Sequence, residues 1–248
     1  MSRWIKNFFV LLGAITFIGF ILSVFGASQF MKEQEKLSKN SILHLKLNGI
    51  ILGEDQFLKD LIKYRDKEQV KGVLVEINSP GGVVGPSQEI YTELKRVRDE
   101  LQKPVVVTSS GLMASGAYYA AVAADKIVVN PGTMVGSIGV IMNFANLEKL
   151  YSWAKIERYA ITTGPYKDAG ADYRAMTEAE KNLFREMIGE VHHQFKTAVS
   201  EGRKLPMDKV EAFSDGRVFT GRLQFNTNLP INWGHLKMPG AWWGPFRV

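Results

Sequence analysis

The sequence contains no cysteine and only four histidines among its 248 residues. Without cysteine there is no disulfide framework, no thiol nucleophile and no cysteine-based metal site. The chain also lacks a run of lysine and arginine that would follow a phosphate backbone, and its formal net charge is a mild +6. Nucleic-acid binding is therefore not indicated. We expect no metal and no cofactor.

Charge is also missing from a long apolar run near the N-terminus, Phe8 to Ala27. As a helix this run would be about 30 Å long, enough to cross a bilayer. A cleaved signal peptide is the competing interpretation, but its apolar core is usually about 7–15 residues long, and the bulky Phe25 lies three positions before a cut after Ala27. We favour a retained anchor. Because Arg3 and Lys6 precede it, the N-terminus is predicted to be cytoplasmic.

After a polar stretch, β-like and helical patterns alternate along the chain. Apolar runs at residues 72–77, 105–108 and 126–129 are typical of buried strands. Amphipathic patterns predict helices, and the capping-box spacing of Thr177 and Glu180 predicts a long one that runs to about residue 203. A further strand is predicted at residues 157–162. This alternation predicts an α/β fold with a largely parallel sheet.

A serine followed by glycine lies between a predicted strand and a helix of small residues, at Ser115 and Gly116. A serine at such a step lies where a helix N-terminus concentrates unpaired N–H groups. The glycine would let a substrate backbone come close. A serine that attacks a carbonyl as a nucleophile needs both features, because the substrate must come close and the resulting oxyanion must be held by N–H groups. Alternatively, Ser115 is only the N-cap of the helix.

A second glycine-rich loop, residues 78–82, closes the strand predicted at residues 72–77. Proteins with parallel sheets bind their ligands beyond this end of a strand. Alone, the loop is typical of a plain Pro-Gly turn. The serine turn follows one strand later, however, so both loops would open on the same edge of the sheet. The N–H groups of Gly82 and Gly116 would then form an oxyanion hole.

The sequence offers two kinds of general base. His192 and His193 are neighbours on the long helix, where adjacent side chains point about 100° apart, so at most one of them would face a site. Lys167, in a glycine-flanked loop, is the better candidate. A lysine acts as a base only when it is neutral, which burial favours. The alternative is a solvated loop lysine.

Six blocks of sequence share a known pattern: NSPGG (78–82), MASGAYYAAVAADKI (113–127), GTMVGSIGVI (132–141), YKDAG (166–170), MTEAEK (176–181) and DGRVFTGR (215–222). Together, and in this order, they closely resemble the short bacterial form of signal peptide peptidase A. This family consists of membrane-anchored serine proteases of the Clp-protease/crotonase fold superfamily. The resemblance covers about residues 42–222 and implies an α/β fold of repeated strand-strand-helix units.

The resemblance also implies a role for each matching residue. Ser115 corresponds to the nucleophile and Lys167 to the general base, with no histidine involved. Ser137 corresponds to a serine that hydrogen-bonds the lysine and orients it. Gly82 and Gly116 correspond to the donors of the oxyanion hole.

Substrates and partners follow from the same resemblance. Members of the family cleave hydrophobic signal-peptide remnants, and they assemble into rings or domes whose active sites lie near subunit contacts. In the short form, the serine and the lysine are expected to meet across neighbouring subunits. We therefore expect a homo-oligomer that cleaves small hydrophobic peptides.

The C-terminal residues depart from the family's pattern. Where the family continues with a segment of the type A-x-x-x-G-L-V-D and a helix, this chain reads LQFNTNLPINWGHLKMPGAWWGPFRV, with three prolines and no helical period. This is an atypical tail, or a divergent loop that docks through its tryptophans. Two other functions stay open: an inactive ring-forming scaffold of the same fold, and a crotonase-type acyl-CoA enzyme, which an extracytoplasmic location would deprive of CoA.

The sequence thus predicts a single-pass protein of the inner or cytoplasmic membrane with its catalytic domain outside the cytoplasm. Its predicted segments are a cytoplasmic N-terminus (1–7), a transmembrane anchor (8–27), a stalk (28–40), a Ser-Lys peptidase domain (41–222) and an atypical tail (223–248).

Overall fold

The computed structural model describes residues 3–34, 37–53, 56–222 and 232–233. The chain divides into two compact units, Met1–Ser41 and Ile42–Val248. The first unit contains one long helix, α1 (Arg3–Gln34), which includes the predicted anchor. Among the described residues, no helix has the length and apolarity needed to cross a membrane. The side chains of residues 9–11 and 25–27, which belong to the predicted span, lie outside this description.

The second unit is built on one sheet. Its strands, within the described residues, are β1 (Ser41–Ile51), β2 (Val70–Gly82), β3 (Val105–Ser109), β4 (Leu112–Ala114), β5 (Lys126–Val129), β6 (Met134–Gly136), β7 (Val218–Thr220) and β8 (Asn232–Trp233). They lie in the order β7-β6-β4-β2-β3-β5-β8, and β1 pairs with β2. The pairs along this path are parallel except β6 with β7. The predicted α/β fold with a largely parallel sheet is confirmed.

The central strand β2 organises the sheet because it has different neighbours along its length. Val73 pairs with Val105 of β3, whereas Ser79, near the end of β2, pairs with Met113 of β4. The glycine loop that ends β2 is therefore brought beside the end of β4, where the serine turn begins. Val75, like other inward residues of β2, is fully buried, whereas the alternate positions, such as Glu76 and Asn78, are partly or fully exposed.

Six helices of the second unit lie within the described residues. They are α2 (Gln56–Arg65), α3 (Val84–Asp99), α4 (Gly116–Ala121), α5 (Glu148–Trp153), α6 (Glu178–Arg203) and α7 (Met207–Glu211). The capping box predicted for α6 is present: Glu180 N–H donates to Thr177 Oγ1 at 3.2 Å, and Thr177 N–H donates to the Glu180 carboxylate at 2.8 Å. The helix therefore begins and ends where the sequence predicted.

Helix α4, which follows the serine turn, is buried along most of its length. Its alanines are small enough to lie close to β2 and α3, and Tyr118 fills the remaining space with no exposed surface. The C-terminal end of α4 is capped from α6, since buried Arg203 donates to the carbonyls of Val122, at 3.1 Å, and Ala124. Burial lowers the pKa of Arg203.

One sequence prediction about secondary structure needs correction, and one strand was not predicted. Residues 157–162 do not form a strand; within the described part of the chain, no neighbouring strand pairs with them. Conversely, Asn232–Trp233 of the predicted atypical tail forms a short strand parallel to Val128–Val129. The other residues of the tail, including Trp242 and Trp243, lie outside the described residues.

Candidate active site

The step from β4 to α4 holds Ser115 in a backbone conformation that is rare for a residue with a side chain. Its φ is 53° and its ψ is −126°. Non-glycine residues held this way are strained and concentrate at functional sites, as in the sharp strand-to-helix turn that presents a nucleophilic serine. Hydrogen bonds fix the turn from both sides: Ser115 N–H donates to Gly136 O at 2.8 Å, and Tyr119 N–H donates to Ser115 O at 2.9 Å.

Ser115 occupies the N-cap position, but its side chain makes no capping hydrogen bond. A serine placed here only as a cap would accept a hydrogen bond from an N–H of the first turn. The side chain of Ser115 therefore does not cap α4. The half-buried hydroxyl remains available for chemistry.

The glycine loop at the end of β2 packs directly against the serine turn. A Cβ atom built on Gly81, whose φ is +92°, would lie 2.5 Å from the backbone nitrogen of Gly116 and 2.9 Å from Ser115 Cβ. A Cβ atom on Gly116 would lie 3.4 Å from the backbone nitrogen of Gly82 and would overlap Ser87 Oγ. Glycine is required at these positions because the two backbones approach each other closely. Gly82, Ser115 and Gly116 are thus brought together, as the sequence predicted.

A small cavity of about 30 Å³ opens beside these residues. Its polar lining comes from the two loops and from Ser87. Its apolar lining comes from side chains on α3, α4, the segment after β6, and α6: Val84, Tyr119, Val140, Val191 and Phe195. A space of this size accommodates a water molecule or a small group.

Ser137 lies next to the residue that holds the serine turn. Gly136 O accepts the hydrogen bond from Ser115 N–H, and Ser137 N–H donates to Arg217 O at 2.9 Å. Ser137 also has a positive φ, 54°. Among the described residues its hydroxyl has no hydrogen-bond partner. Backbone contacts therefore place Ser137 close to the Ser115 turn.

Lys167 is placed differently. It lies in a turn, where its N–H donates to Gly164 O at 3.2 Å, and its side chain is exposed. Among the described residues, Lys167 Nζ has no hydrogen-bond or ion-pair partner, and Lys167 does not line the cavity beside Ser115. A single chain therefore brings the predicted nucleophile and oxyanion-hole residues together without joining Lys167 to Ser115 or Ser137.

An ion-pair cluster that the sequence analysis missed lies beside Lys167. Arg174 donates to the Asp168 carboxylate at 2.9 Å and 3.1 Å, and to the Glu180 carboxylate at 2.5 Å and 3.0 Å. Tyr173 O–H also donates to Asp168, at 2.9 Å. Hydrogen bonds from Arg174 and Thr177 lower the pKa of Glu180 to about 2, and those from Arg174 and Tyr173 lower the pKa of Asp168. The capping-box spacing was the only sequence signal of this cluster.

A second cluster of hydrogen bonds joins Tyr151 and Arg158, which precede the Lys167 loop, to Asp172, which follows it. Arg158 donates to the Asp172 carboxylate at 2.7 Å and to Tyr151 Oη at 2.6 Å, and Tyr151 O–H donates to Asp172 at 2.7 Å. Hydrogen bonding from Tyr151, with the charge of Arg158, lowers the pKa of Asp172. Both ends of the Lys167 loop are therefore fixed by charged hydrogen bonds.

The two histidines considered as a base, His192 and His193, follow Val191 on α6. Neither His192 nor His193 lines the cavity beside Ser115. His193 instead lines a larger cavity of about 360 Å³ between α3 and α6, together with Tyr91, Lys95 and Glu201. That cavity contains none of the predicted site residues, so its size does not make it the active site. Within the described residues, no group of His, Asp or Glu side chains could hold a metal ion.

The fold defines the class of protein. It resembles that of a ClpP1 mutant from Listeria monocytogenes with a TM-score of 0.51, over 77% of this chain and 89% of that chain. The sequence identity of this pair is 16%, so the likeness shows the fold alone. A family model described as Clp protease also matches residues 27–135. The α/β fold is thus Clp-protease-like.

Sequence comparison gives the family. The model of peptidase family S49 matches residues 98–230, just over half of the chain, and the chain belongs to this family of serine peptidases. A candidate protease of Synechocystis sp. is 36% identical over 193 residues, which are 77% of this chain and 69% of that protein. A candidate signal peptide peptidase SppA of Enterococcus faecium is 30% identical over 220 residues, 83% of this chain and 64% of that protein.

A third relative is a plant protein. The chloroplastic serine protease SPPA of Arabidopsis thaliana is 32% identical over 179 residues, 72% of this chain and 26% of that protein. The chain thus spans less than two thirds of the Enterococcus and Arabidopsis relatives. The expected resemblance to signal peptide peptidase A and the expected Clp-protease-like fold are confirmed.

Proposed function

We propose that this protein is a membrane-anchored serine endopeptidase that hydrolyses signal-peptide remnants and other small hydrophobic peptides with Ser115 as nucleophile and Lys167 as general base. The strained, uncapped Ser115 carries the proposal. Its hydroxyl lies at a sharp turn, with the backbones of Gly82 and Gly116 packed beside it. Such a turn stores strain that a purely structural serine would not need.

In the proposed mechanism, Ser115 Oγ attacks the carbonyl carbon of the peptide bond while its proton passes to neutral Lys167 Nζ. The negative charge on the former carbonyl oxygen is held by the N–H groups of Gly82 and Gly116. When the tetrahedral intermediate collapses, Lys167 gives the proton to the leaving amine. Water then attacks the acyl-enzyme, Lys167 takes a proton from it, and Ser115 is restored. Ser137 would orient Lys167 throughout.

The surroundings of Ser115 support an apolar peptide as substrate. The cavity beside it is small and mostly apolar, so it suits a small side chain. Exposed apolar residues lie at the end of β1 and just after the glycine loop: Ile50 is 65% exposed, Leu52 73% and Val83 50%. An extended, hydrophobic peptide would cover these side chains as it passes the serine turn.

A homo-oligomer is supported by what a single chain leaves exposed. The segment between β6 and the Lys167 loop presents large apolar side chains to solvent, among them Trp153, 81% exposed, and Ile161, 95% exposed. Such a patch is typical of a protein–protein interface. Since Lys167 has no partner within the described residues, we propose that it completes the site of a neighbouring subunit.

The membrane anchor is supported by the sequence of α1. The 20 uncharged residues from Phe8 to Ala27 lie inside this helix, with Arg3 and Lys6 before them. By the positive-inside rule, the peptidase unit would lie outside the cytoplasm.

The proposal is tested by labelling the purified full-length protein in detergent with a serine-reactive acylating probe and mapping the adduct by mass spectrometry. We expect modification at Ser115, none in Ser115→Ala, and unchanged labelling in Ser110→Ala, which removes an exposed serine five residues earlier. Hydrolysis of a short apolar fluorogenic peptide should follow the same pattern. A folded protein that is not labelled at Ser115 would contradict the proposal and favour an inactive scaffold.

A further inference from the structure

The loop that carries Lys167 is tied to the buried start of α6. Glu180 is 2% exposed, and its carboxylate is held by two residues: Arg174 and the N–H of Thr177. The same Arg174 guanidinium reaches Asp168, the residue after Lys167, through both carboxylate oxygens and, at 3.3 Å, through the backbone carbonyl. The backbone at Lys167 is thus connected to a helix terminus through one arginine.

We propose that Arg174, supported by Glu180, is a positioning residue for the general base: it fixes the backbone beside Lys167 and neutralises the Asp168 carboxylate. This inference rests on the proposed function, in which Lys167 is the base. Arg174 itself contacts no substrate in this scheme, and it acts through Asp168.

The geometric part of the inference comes from the shape of the guanidinium. Its planar fork makes hydrogen bonds to two carboxylates and to the backbone carbonyls of Asp168 and Ala175, which fixes direction as well as distance. Lysine at this position would keep the charge but could not reproduce the fork. Since an error of about 1 Å in the position of a catalytic group costs on the order of 100-fold in rate, a lysine here should be damaging.

The electrostatic part comes from the position of Asp168. Asp168 directly follows Lys167 in the chain, although the two side chains, both within the described residues, form no ion pair in the single chain. A carboxylate in the neighbourhood of an amine stabilises the protonated amine, which cannot accept a proton from Ser115. Within the described residues, the positive group that contacts the Asp168 carboxylate is Arg174, whose charge is shared with Glu180. Tyr173 O–H adds an uncharged hydrogen bond. Removing the positive charge of Arg174 would leave the carboxylate to favour protonated Lys167.

The test uses the full chain and measures kcat, KM and the pH–rate profile per active site, with sites counted by the acylating probe. Arg174→Lys should lower kcat about 10–100-fold with little change in KM and with the ascending limb of the profile unmoved. Arg174→Gln should lower kcat similarly and also move this limb to higher pH, by on the order of 0.5–1 unit. Adding Asp168→Asn to Arg174→Gln should return the limb to its original pH while kcat stays low.

A matched control and a reference variant separate the outcomes. Glu178→Gln removes an exposed carboxylate paired with Lys181 in the first turn of the same helix, and it should leave kcat and the profile unchanged. If Lys167→Ala inactivates the enzyme but the Arg174 variants keep kcat per site and the profile, the inference is wrong and the proposed function stands. If Lys167→Ala is itself active, the proposed function fails and the inference with it. A loss of thermal stability with normal kcat per site also overturns the inference, because it shows a structural role alone.

Discussion

The backbone strain at Ser115 predicts that Ser115→Gly abolishes activity and yet makes the protein more stable than Ser115→Ala does. The observed φ of 53° with ψ of −126° is accessible to glycine but strained for any other residue, by about 1–3 kcal/mol. Ser115→Gly relieves this strain and costs about 0.5–1 kcal/mol through the greater freedom of glycine in the unfolded chain. Ser115→Ala keeps the strain. The glycine variant should therefore be more stable than the alanine variant by about 0–2.5 kcal/mol, and neither should cleave peptide.

The assay is equilibrium or thermal unfolding of the wild type and both variants at one protein concentration, because assembly would shift the apparent stability. For a unit of this size, each 1 kcal/mol corresponds to about 2–4 °C in Tm. Ser110→Gly, at an exposed position, serves as the matched control for the intrinsic cost of glycine. If Ser115→Gly unfolds more easily than Ser115→Ala by about 0.5 kcal/mol or more, which is the cost of glycine without any relief of strain, the backbone at Ser115 stores no strain and the reasoning is refuted.

Four further predictions concern the base, the orienting serine, the pH dependence of folding and the topology. Lys167→Arg should be as inactive as Lys167→Ala in peptide hydrolysis, because guanidinium keeps its proton at any usable pH; an active arginine variant would exclude lysine as base. Ser137→Ala should lower kcat about 10–100-fold, since it would remove the proposed orienting hydrogen bond to Lys167; full activity would remove Ser137 from the mechanism. The pKa of Glu180 is lowered from 4.5 to about 2, so its contribution to stability is complete above about pH 4.5 and is lost as the pH falls toward 2; in unfolding titrations Glu180→Gln should lose less stability over this interval than the wild type. External protease should digest the chain after Ala27 in intact spheroplasts, and protection until lysis would reverse the topology.

The residues of the serine turn could be predicted because their signal is local. Glycine at positions 82 and 116 reflects backbones that approach too closely for a side chain, and this requirement is visible in the sequence itself. The start of α6 was predictable for the same reason, since its capping box spans only Thr177 to Glu180. These features depend on neighbours a few residues apart.

The errors and omissions involve partners that local patterns do not specify. Residues 157–162 have the alternation of a strand, but a strand needs a neighbour, and the described part of the chain supplies none. The cluster around Arg174 was missed because its spacing to Asp168 and Glu180, six residues each way, matches no helical or strand period. The strand at Asn232–Trp233 was missed because its pairing with β5 is remote in sequence.

The supports of the serine turn come from far along the chain, which has a consequence for the order of events during synthesis. Gly136, whose carbonyl holds Ser115 N–H, pairs with Val218 of β7, and the carbonyl end of α4 is capped by Arg203, 81 residues beyond Val122. A nascent chain emerges from its N-terminus. Ser115 therefore leaves the ribosome about a hundred residues before Val218, so the set of contacts that holds its turn cannot be complete until β7 has been synthesised.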